Sequence, residues 1–522
     1  MAFLGLTGDK LAIARICLIV VPAFLFYGYN QSNLGGVLDY PSFTQHFPGI
    51  DTTTTSGAQQ SYNAQIQGTV VAIYTLGCLF GSLGIAPVGN RFGRRKSLII
   101  AAAIASLGIV LQASSYSLGQ LIAGRILCGL GNGGVNSVVP VWQSECAKTK
   151  SRGKNVVIIG IFITSGVAAA GWTNVGLSYV EHLEVAWRLP LVIPLIFTIM
   201  IMSFTLSFPE SPRWLISKGR IEEARENMIL LSDEPVSYEA IDEDIAMISS
   251  LVTQDTAKTE KGFSSFFKPN HERLFYRLSL SVIINFYAQM TGANVISYYG
   301  KTIFKESLHL SSNKASFLNA GVLTFKIVAA TSAFITVDRL GRKPLFLVAC
   351  GGMSLSMAGL AGTVWAIDNA YTFGVSVAAV FFLFFFMAFF PLGFVGANFL
   401  YGAEIAPQDL RIHLAAVGTA THWLFNFVIA EITPVAFVTI KWRYYIVYAV
   451  IAFSALPVIY FLFPETKGLS LEDMNRLFSE PAGFAQIPAY ARKIRKGALA
   501  QQDNEAQKNG LGVDQVEDIS KS

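Results

Sequence analysis

The chain has 522 residues, of which 52% are hydrophobic and only 14% charged, with a formal net charge of +5 and a mean hydropathy of +0.47. Soluble domains carry about 25% charged residues, so a globule of this size would lack the charge to cover itself. No basic stripe interleaved with aromatics points to nucleic acid, and no nucleic-acid partner is expected. The five cysteines (Cys17, Cys78, Cys128, Cys146, Cys350) lie in or beside apolar stretches and give neither a disulfide framework nor a zinc pattern. No metal-ligand cluster, phosphate loop or nucleophile elbow stands in its required context. The chain therefore does not read as an enzyme, and no cofactor is expected.

Apolar segments recur at 16–38, 67–88, 97–115, 120–142, 155–175 and 187–208. After a polar break they resume at 276–300, 315–337, 344–366, 373–403, 413–436 and 444–463. Each run far exceeds the roughly 10 residues of a barrel strand. Helices satisfy their own backbone groups in lipid, so the pattern predicts an all-α, multi-pass membrane protein. The first run, behind Lys10 and Arg15, is long enough to stay as a membrane helix rather than a cleaved signal. Glycines such as Gly77, Gly81, Gly129 and Gly133 predict close helix contacts.

Loop charge sets the orientation. Arg91, Arg94, Arg95 and Lys96 follow the second span, Lys148, Lys150, Arg152 and Lys154 the fourth, and Arg339, Arg342 and Lys343 the eighth. Segment 39–66 has no lysine or arginine. Both termini are thus expected in the cytoplasm. The chain divides into a six-helix bundle (1–208), a cytoplasmic helical linker (209–275), a second six-helix bundle (276–463) and a cytoplasmic tail (464–522). Amphipathic helices are expected at Ile221–Leu231 and Tyr238–Leu251, and the tail carries a basic patch over residues 492–496.

The two halves echo each other. Gly89-Asn90-Arg91-Phe92-Gly93-Arg94-Arg95-Lys96 follows the second span, and Val337-Asp338-Arg339-Leu340-Gly341-Arg342-Lys343 follows the eighth. Glu145 precedes Arg152 by seven residues after the fourth span, as Glu404 precedes Arg411 after the tenth. Signatures at matching places in two six-helix units mark a parallel repeat.

With these motifs stand Gly124-Arg125, Pro209-Glu210-Ser211-Pro212-Arg213-Trp214-Leu215, Gln289-Met290-Thr291-Gly292-Ala293-Asn294 with Tyr298-Tyr299, and Pro464-Glu465-Thr466-Lys467-Gly468. The sequence closely resembles the sugar porter family of the major facilitator superfamily over nearly its whole length. The resemblance implies the major facilitator fold, 12 transmembrane helices in two six-helix bundles around a central site that opens alternately to each side. Its long Thr-rich first outer segment and mid-length tail resemble those of fungal carriers of the plasma membrane. Arg91, Arg94, Arg95, Arg152, Asp338, Arg339, Arg342 and Arg411 are expected to form a gating latch with Glu145, Glu210, Glu404 and Glu465, broken when the bundles separate. Asn90 replaces the family's usual aspartate, which Asp338 retains.

The family's sugar-contacting positions carry over only in part. The seventh span keeps Gln289, Asn294 and Tyr298, but Ala288 replaces a glutamine. Gly160 replaces another on the fifth span, and Phe399 replaces a tryptophan on the tenth. Lys326 and His422 replace asparagines on the eighth and eleventh, where Asn426 remains. Sites built to hold hydroxyls discriminate strongly, so a departure from ordinary hexose recognition is expected. Lys326 lies about 16 Å from either membrane face at 1.5 Å per residue. An ammonium at that depth should have a counter-charge, a depressed pKa or an anionic ligand. Two readings stay open: Lys326 binds the carboxylate of a polyhydroxylated solute, or it pairs internally with Glu431.

Proton-coupled members carry an aspartate in the first span, facing the fourth-span arginine. Here Tyr27-Gly28-Tyr29-Asn30 puts an asparagine at that position, opposite Arg125. The resemblance then implies facilitated diffusion, with proton symport through His422 or Glu431 as the alternative. The function expected is a carrier for a small sugar, polyol or sugar acid, working as a monomer in the lipid bilayer. An exporter of an unrelated metabolite and a non-transporting nutrient sensor are the competing classes.

Overall fold

In a computed structural model the described residues are 5–146, 152–232, 238–257, 263–268, 272–407, 410–469, 471–480, 483 and 486–494. The expected Arg495–Lys496 end of the basic tail patch lies outside them. The first half contains α1 (Gly8–Ser32), α2 (Gly57–Phe92), α3 (Arg94–Ala113), α4 (Leu118–Glu145), α5 (Arg152–Leu177) and α6 (Val185–Thr205). The second half contains α7 (Leu274–Met290), α8 (Ala293–Thr302), α9 (Ser312–Leu340), α10 (Arg342–Asn369), α11 (Phe373–Phe394), α12 (Ala397–Glu404), α13 (Arg411–Thr439) and α14 (Arg443–Leu462).

Ten segments among the described residues are long and apolar enough to cross a membrane. The other two expected spans have physical reasons to fall short. α4 is 28 residues long, but glycines, Arg125 and Asn132 dilute its hydropathy. The seventh span, expected as one run, is two helices broken at Thr291–Gly292. The tenth is also split, at Val395–Gly396, into α11 and α12. Large apolar side chains such as Phe80, Leu107, Ile196, Phe381 and Phe453 stay exposed on the outside of the bundle, as expected of a lipid-facing belt.

The sequence repeat is a packing repeat. In the first half α3 and α2 pack on α4, α1 on α5, and α3 on α6. In the second half α10 and α9 pack on α11, α7 on α13, and α10 on α14. These are the same four pairings, moved on by six spans. The halves meet symmetrically as well, through α2 with α13 and α5 with α9. The small residues do as their spacing predicts. A Cβ added to Gly129 would lie 2.2 Å from Tyr74 O, and one on Gly133 would lie 2.2 Å from Cys78 O.

Between the halves, Pro212–Ser217, Ile221–Leu231 and Tyr238–Ala257 are helical. They share a small core of Trp214, Leu215, Ile216, Ala224, Ile241 and Ile245. The helix Leu471–Ser479 buries Met474, Leu477 and Phe478 against the second half. There the Arg277 guanidinium lies 4.3 Å from the Phe478 ring centroid.

Candidate functional site

The break in the seventh span builds the centre of the molecule. Gly292 has φ +94 and a Cβ there would lie 2.9 Å from the Tyr448 ring, so both dihedral and space call for glycine. On either side of it, Asn294 Nδ2 donates to Gln289 Oε1. Gln289 Nε2 in turn lies 2.8 Å from His422 Nδ1 and 3.1 Å from its Nε2. An amide nitrogen only donates, so the imidazole accepts, and a neutral ring keeps its other nitrogen as a donor. Phe399 packs beside His422 at 5.1 Å. Trp423 meets His422 edge-on at 5.6 Å and Tyr27 of the first half at 5.7 Å. One turn along, Tyr298 OH donates to Asn426 Oδ1 at 2.9 Å. Asn426 is fully buried, and its Nδ2 has no partner among the described residues.

Lys326 reaches this cluster from α9. Its side chain is 4% exposed. Nζ lies 3.4 Å from Ser297 Oγ and 5.3 Å from the Phe390 ring centroid. Among the described residues no carboxylate lies within ion-pair distance of it. The internal pair with Glu431 is not formed. Glu431 lies farther along α13, where its Oε1 accepts from Thr69 Oγ1 of α2 at 2.7 Å.

In the first half Asn30 donates to Phe26 O at 3.0 Å and accepts from Asn33 Nδ2 at 3.4 Å. Arg125 donates to Val70 O at 3.3 Å and Val71 O at 3.0 Å, with its guanidinium 4.6 Å from the Tyr74 ring centroid. Backbone carbonyls and an aromatic face hold the arginine where a carboxylate would otherwise be needed.

The face with the basic loops carries two near-identical clusters. Arg94 makes a bidentate pair with Glu145, both contacts 2.8 Å, while Glu210 accepts from Arg94 N and Arg95 N at 3.1 Å each. Arg342 Nη2 meets Glu404 Oε1 at 2.8 Å, while Glu465 accepts from Arg342 N at 2.9 Å and Lys343 N at 3.0 Å. Each cluster ties three spans of one half together. Two of the expected latch pairs, Arg94–Glu145 and Arg342–Glu404, thus form, but inside each half, so separating the halves need not break them. Arg91 sits over Phe92 at 5.3 Å, Lys467 Nζ donates to Arg339 O at 2.8 Å, and Arg411 Nε has no hydrogen-bond partner among the described residues. The side chains of Arg152 and Asp338 lie outside the description.

Contacts between the halves gather toward the opposite face. Ser32 Oγ donates to Ser297 O at 2.9 Å. Trp172 Nε1 donates to Thr324 Oγ1 at 2.9 Å, and Ser312 Oγ donates to Glu181 Oε2 at 2.9 Å. A Cβ on Gly35 would lie 1.6 Å from Tyr298 O, and one on Gly68 would lie 2.3 Å from Glu431 O. Backbone against backbone, this side is shut.

The family model described as sugar (and other) transporter matches residues 16–478. The chain belongs to that family. It is therefore a multi-pass membrane carrier for a sugar or related solute, working by alternating access, and not an enzyme. It is 31% identical to the sugar transporter STL1 of Saccharomyces cerevisiae, over 98% of this chain and 91% of that one. It is 34% identical to the MFS-type transporter oryC of Aspergillus oryzae, over 98% and 94%. With a probable quinate permease of Aspergillus niger it shares 28%, over 95% and 93%. Among solved structures it resembles the proton:xylose symporter XylE bound to 6-bromo-6-deoxy-D-glucose. The TM-score is 0.71 at 23% identity, covering 90% of this chain and 99% of that one. At that identity the likeness concerns the fold alone.

Sequence reasoning singled out Gln289, Asn294, Tyr298, Lys326, Phe399, His422 and Asn426; the structure joins Gln289, Asn294, Phe399 and His422, pairs Tyr298 with Asn426 and sets Lys326 beside Ser297. It missed Ser297, Phe390 and the first-half Tyr27. Ser297 was the most accessible of these, since it lies three residues beyond Asn294 on the same helix. It also missed Asp39, Lys301 and Lys305 at the shut face, where the i, i+4 spacing of the two lysines was the available signal.

Proposed function

We propose that the protein carries a polyhydroxylated solute bearing a carboxylate across the plasma membrane by facilitated diffusion, with its basic face and both termini in the cytoplasm. The observation that carries the substrate class is Lys326, a buried ammonium with Ser297 Oγ as its polar neighbour. An uncompensated charge at that depth is costly, and a solute carboxylate supplies the missing partner. Gln289, Asn294, Asn426 and the donor nitrogen of His422 suit ring hydroxyls. The similarity to proteins named sugar transporter and probable quinate permease supports this class of solute, since quinate is a hydroxylated ring acid.

Facilitated diffusion is supported by Asn30, which cannot cycle a proton, and by Arg125, whose contacts are carbonyls and a ring. Of the alternative proton carriers, His422 lies against Gln289 and Glu431 accepts from Thr69 through Oε1 alone. The two clusters of the basic face would act as clamps that let each half move as one body. With the opposite face shut, the state described is the one in which the outer entrance is closed.

The test is uptake by a transporter-deficient yeast offered glucose, galactose, xylose, galacturonate and quinate. Uptake of the acids, abolished in Lys326→Ala and without change in the pH of a weakly buffered medium, is the expected result. Uptake of neutral sugars alone, with Lys326→Asn behaving as wild type, would overturn the carboxylate reading. Solute-driven alkalinisation would overturn uniport.

A further inference from the structure

Asp39, at the shut face, holds two ammonium groups. Its oxygens lie 2.6 Å from Lys301 Nζ and 2.8 Å from Lys305 Nζ. The side chains of Asp39 and Lys301 are 7% and 1% exposed. Lys301 also donates to Gly36 O at 3.1 Å and lies 4.0 Å from the Tyr40 ring centroid. Burial would raise the Asp39 pKa, but Lys301 and Lys305 hold it below its ordinary value, so the carboxyl is ionised in this contact.

The three groups come from opposite halves. Asp39 moves with the first: neighbouring Tyr40 OH donates to Asn174 O at 2.8 Å, and a Cβ on Gly36 would lie 2.0 Å from the Asn174 side chain. Lys301 lies on α8, and Lys305 on the π-helical turn Ile303–Ser307 that continues it. Opening this face pulls Asp39 away and leaves both lysines on the second half with Glu306, whose carboxyl burial and Asp39 push up to about 7. Water admitted by the open mouth solvates the separated lysines, and an arriving anion restores the pairing they lost.

The lysines also point the way inward. Lys305, Lys301 and Ser297 follow one another at four-residue steps, through the π-helical turn and across a kink at Tyr299. Ser297 in turn touches Lys326. Cationic groups therefore stand at the mouth, on this helix, and at the central site, beside it.

We propose that Lys301 and Lys305 form a carboxylate-binding site at the outer mouth, filled by Asp39 when the mouth is shut and by the solute's carboxylate when it is open. The inference rests on the carboxylate reading of Lys326. Asp39 acts as a built-in competitor: as the mouth closes it reclaims the lysines, and the solute's carboxylate passes on to Lys326.

Quinate uptake kinetics in the same yeast test it, with delivery to the membrane checked by a fluorescent tag. Lys301→Met with Lys305→Met should raise the external KM for quinate about tenfold, the scale of one lost charge-assisted contact. Arginine at both positions should restore it. Asp39→Asn, which keeps both lysines and removes the competitor, should lower that KM, and it carries the test if the methionine pair fails to reach the membrane. A quinate KM unchanged in all these variants, with Lys326→Ala inactive, overturns the outer site and leaves the Lys326 reading standing. Equal changes in KM for quinate and a neutral sugar reduce the lysines to gate closure and overturn it too. Wild-type protein that carries only neutral sugars overturns both readings.

Discussion

At the basic face the two halves are near copies, and at the membrane centre they share little. Gly93 and Gly341 have φ of +90 and +93, and each faces a glutamate, Glu210 or Glu465, that caps the next two backbone amides. Arg94 and Arg342, each opening a span, then reach the glutamate that ends the following span. At the centre, the first half offers Arg125 held by backbone carbonyls. The second half offers a chain of side chains, from Asn294 through Gln289 to His422, with Lys326 alongside. The contrast separates two tasks. Binding three spans into a body that moves as one is needed in both halves, so the motif appears twice. Recognising a solute takes one set of groups, and here the second half supplies most of it.

This contrast can be broken or sharpened. The largest effect is expected from the interface that both halves build. Gly35→Val drives a side chain into Tyr298 O, so the outer face should fail to close and uptake should fall roughly tenfold or more, as an overpacking cost of about 1–3 kcal/mol implies. Labelling of a cysteine placed beside the central site, by a thiol reagent that cannot cross membranes, should rise in step. Next come the duplicated glycines. Their dihedrals belong to a region nearly restricted to glycine, so Gly93→Ala and Gly341→Ala should each cost about 1–3 kcal/mol, read as lowered thermal stability of the purified protein. Similar losses would support equivalent clamps; a loss confined to one half would break the comparison. The smallest effect is expected from pH. Asp39 has a lowered pKa, so its contribution to closure is present above the unperturbed value near 3.9 and fades as pH falls through the lowered one. Outward labelling should therefore stay flat from about pH 8 to pH 5 in Glu306→Gln, which removes the neighbouring carboxyl that burial and Asp39 push up to about 7.

Much of this architecture was legible in the sequence, and the reasons are local. Runs of apolar residues announce spans, loop arginines announce a face, and a motif repeated at the same place in each half announces a duplication. Lys326 could be placed at mid-membrane by counting residues. What pairs with what was less legible. The expectation that Arg94 and Arg342 would join the two halves assumed partners across the gap, whereas Glu145 and Glu404 lie in the same half as their arginines. Glu431 looked like a partner for Lys326 because both are charges within spans, yet its position along α13 turns it to Thr69. Asp39 gave no sign of its role, because a single acidic residue in a polar loop says nothing of two lysines that follow it by more than 260 positions. The break at Gly292 was visible only as one glycine among many until its neighbours in space were known.

The central claim is that Lys326 reads a carboxylate, and ligand binding tests it without any transport step. Purified protein should gain thermal stability with quinate, as a ligand that binds only the folded state requires, and Lys326→Met should lose that gain while keeping its own folded state. Stabilisation by quinate that survives in Lys326→Met, or stabilisation by glucose and none by quinate in the wild type, would contradict the account.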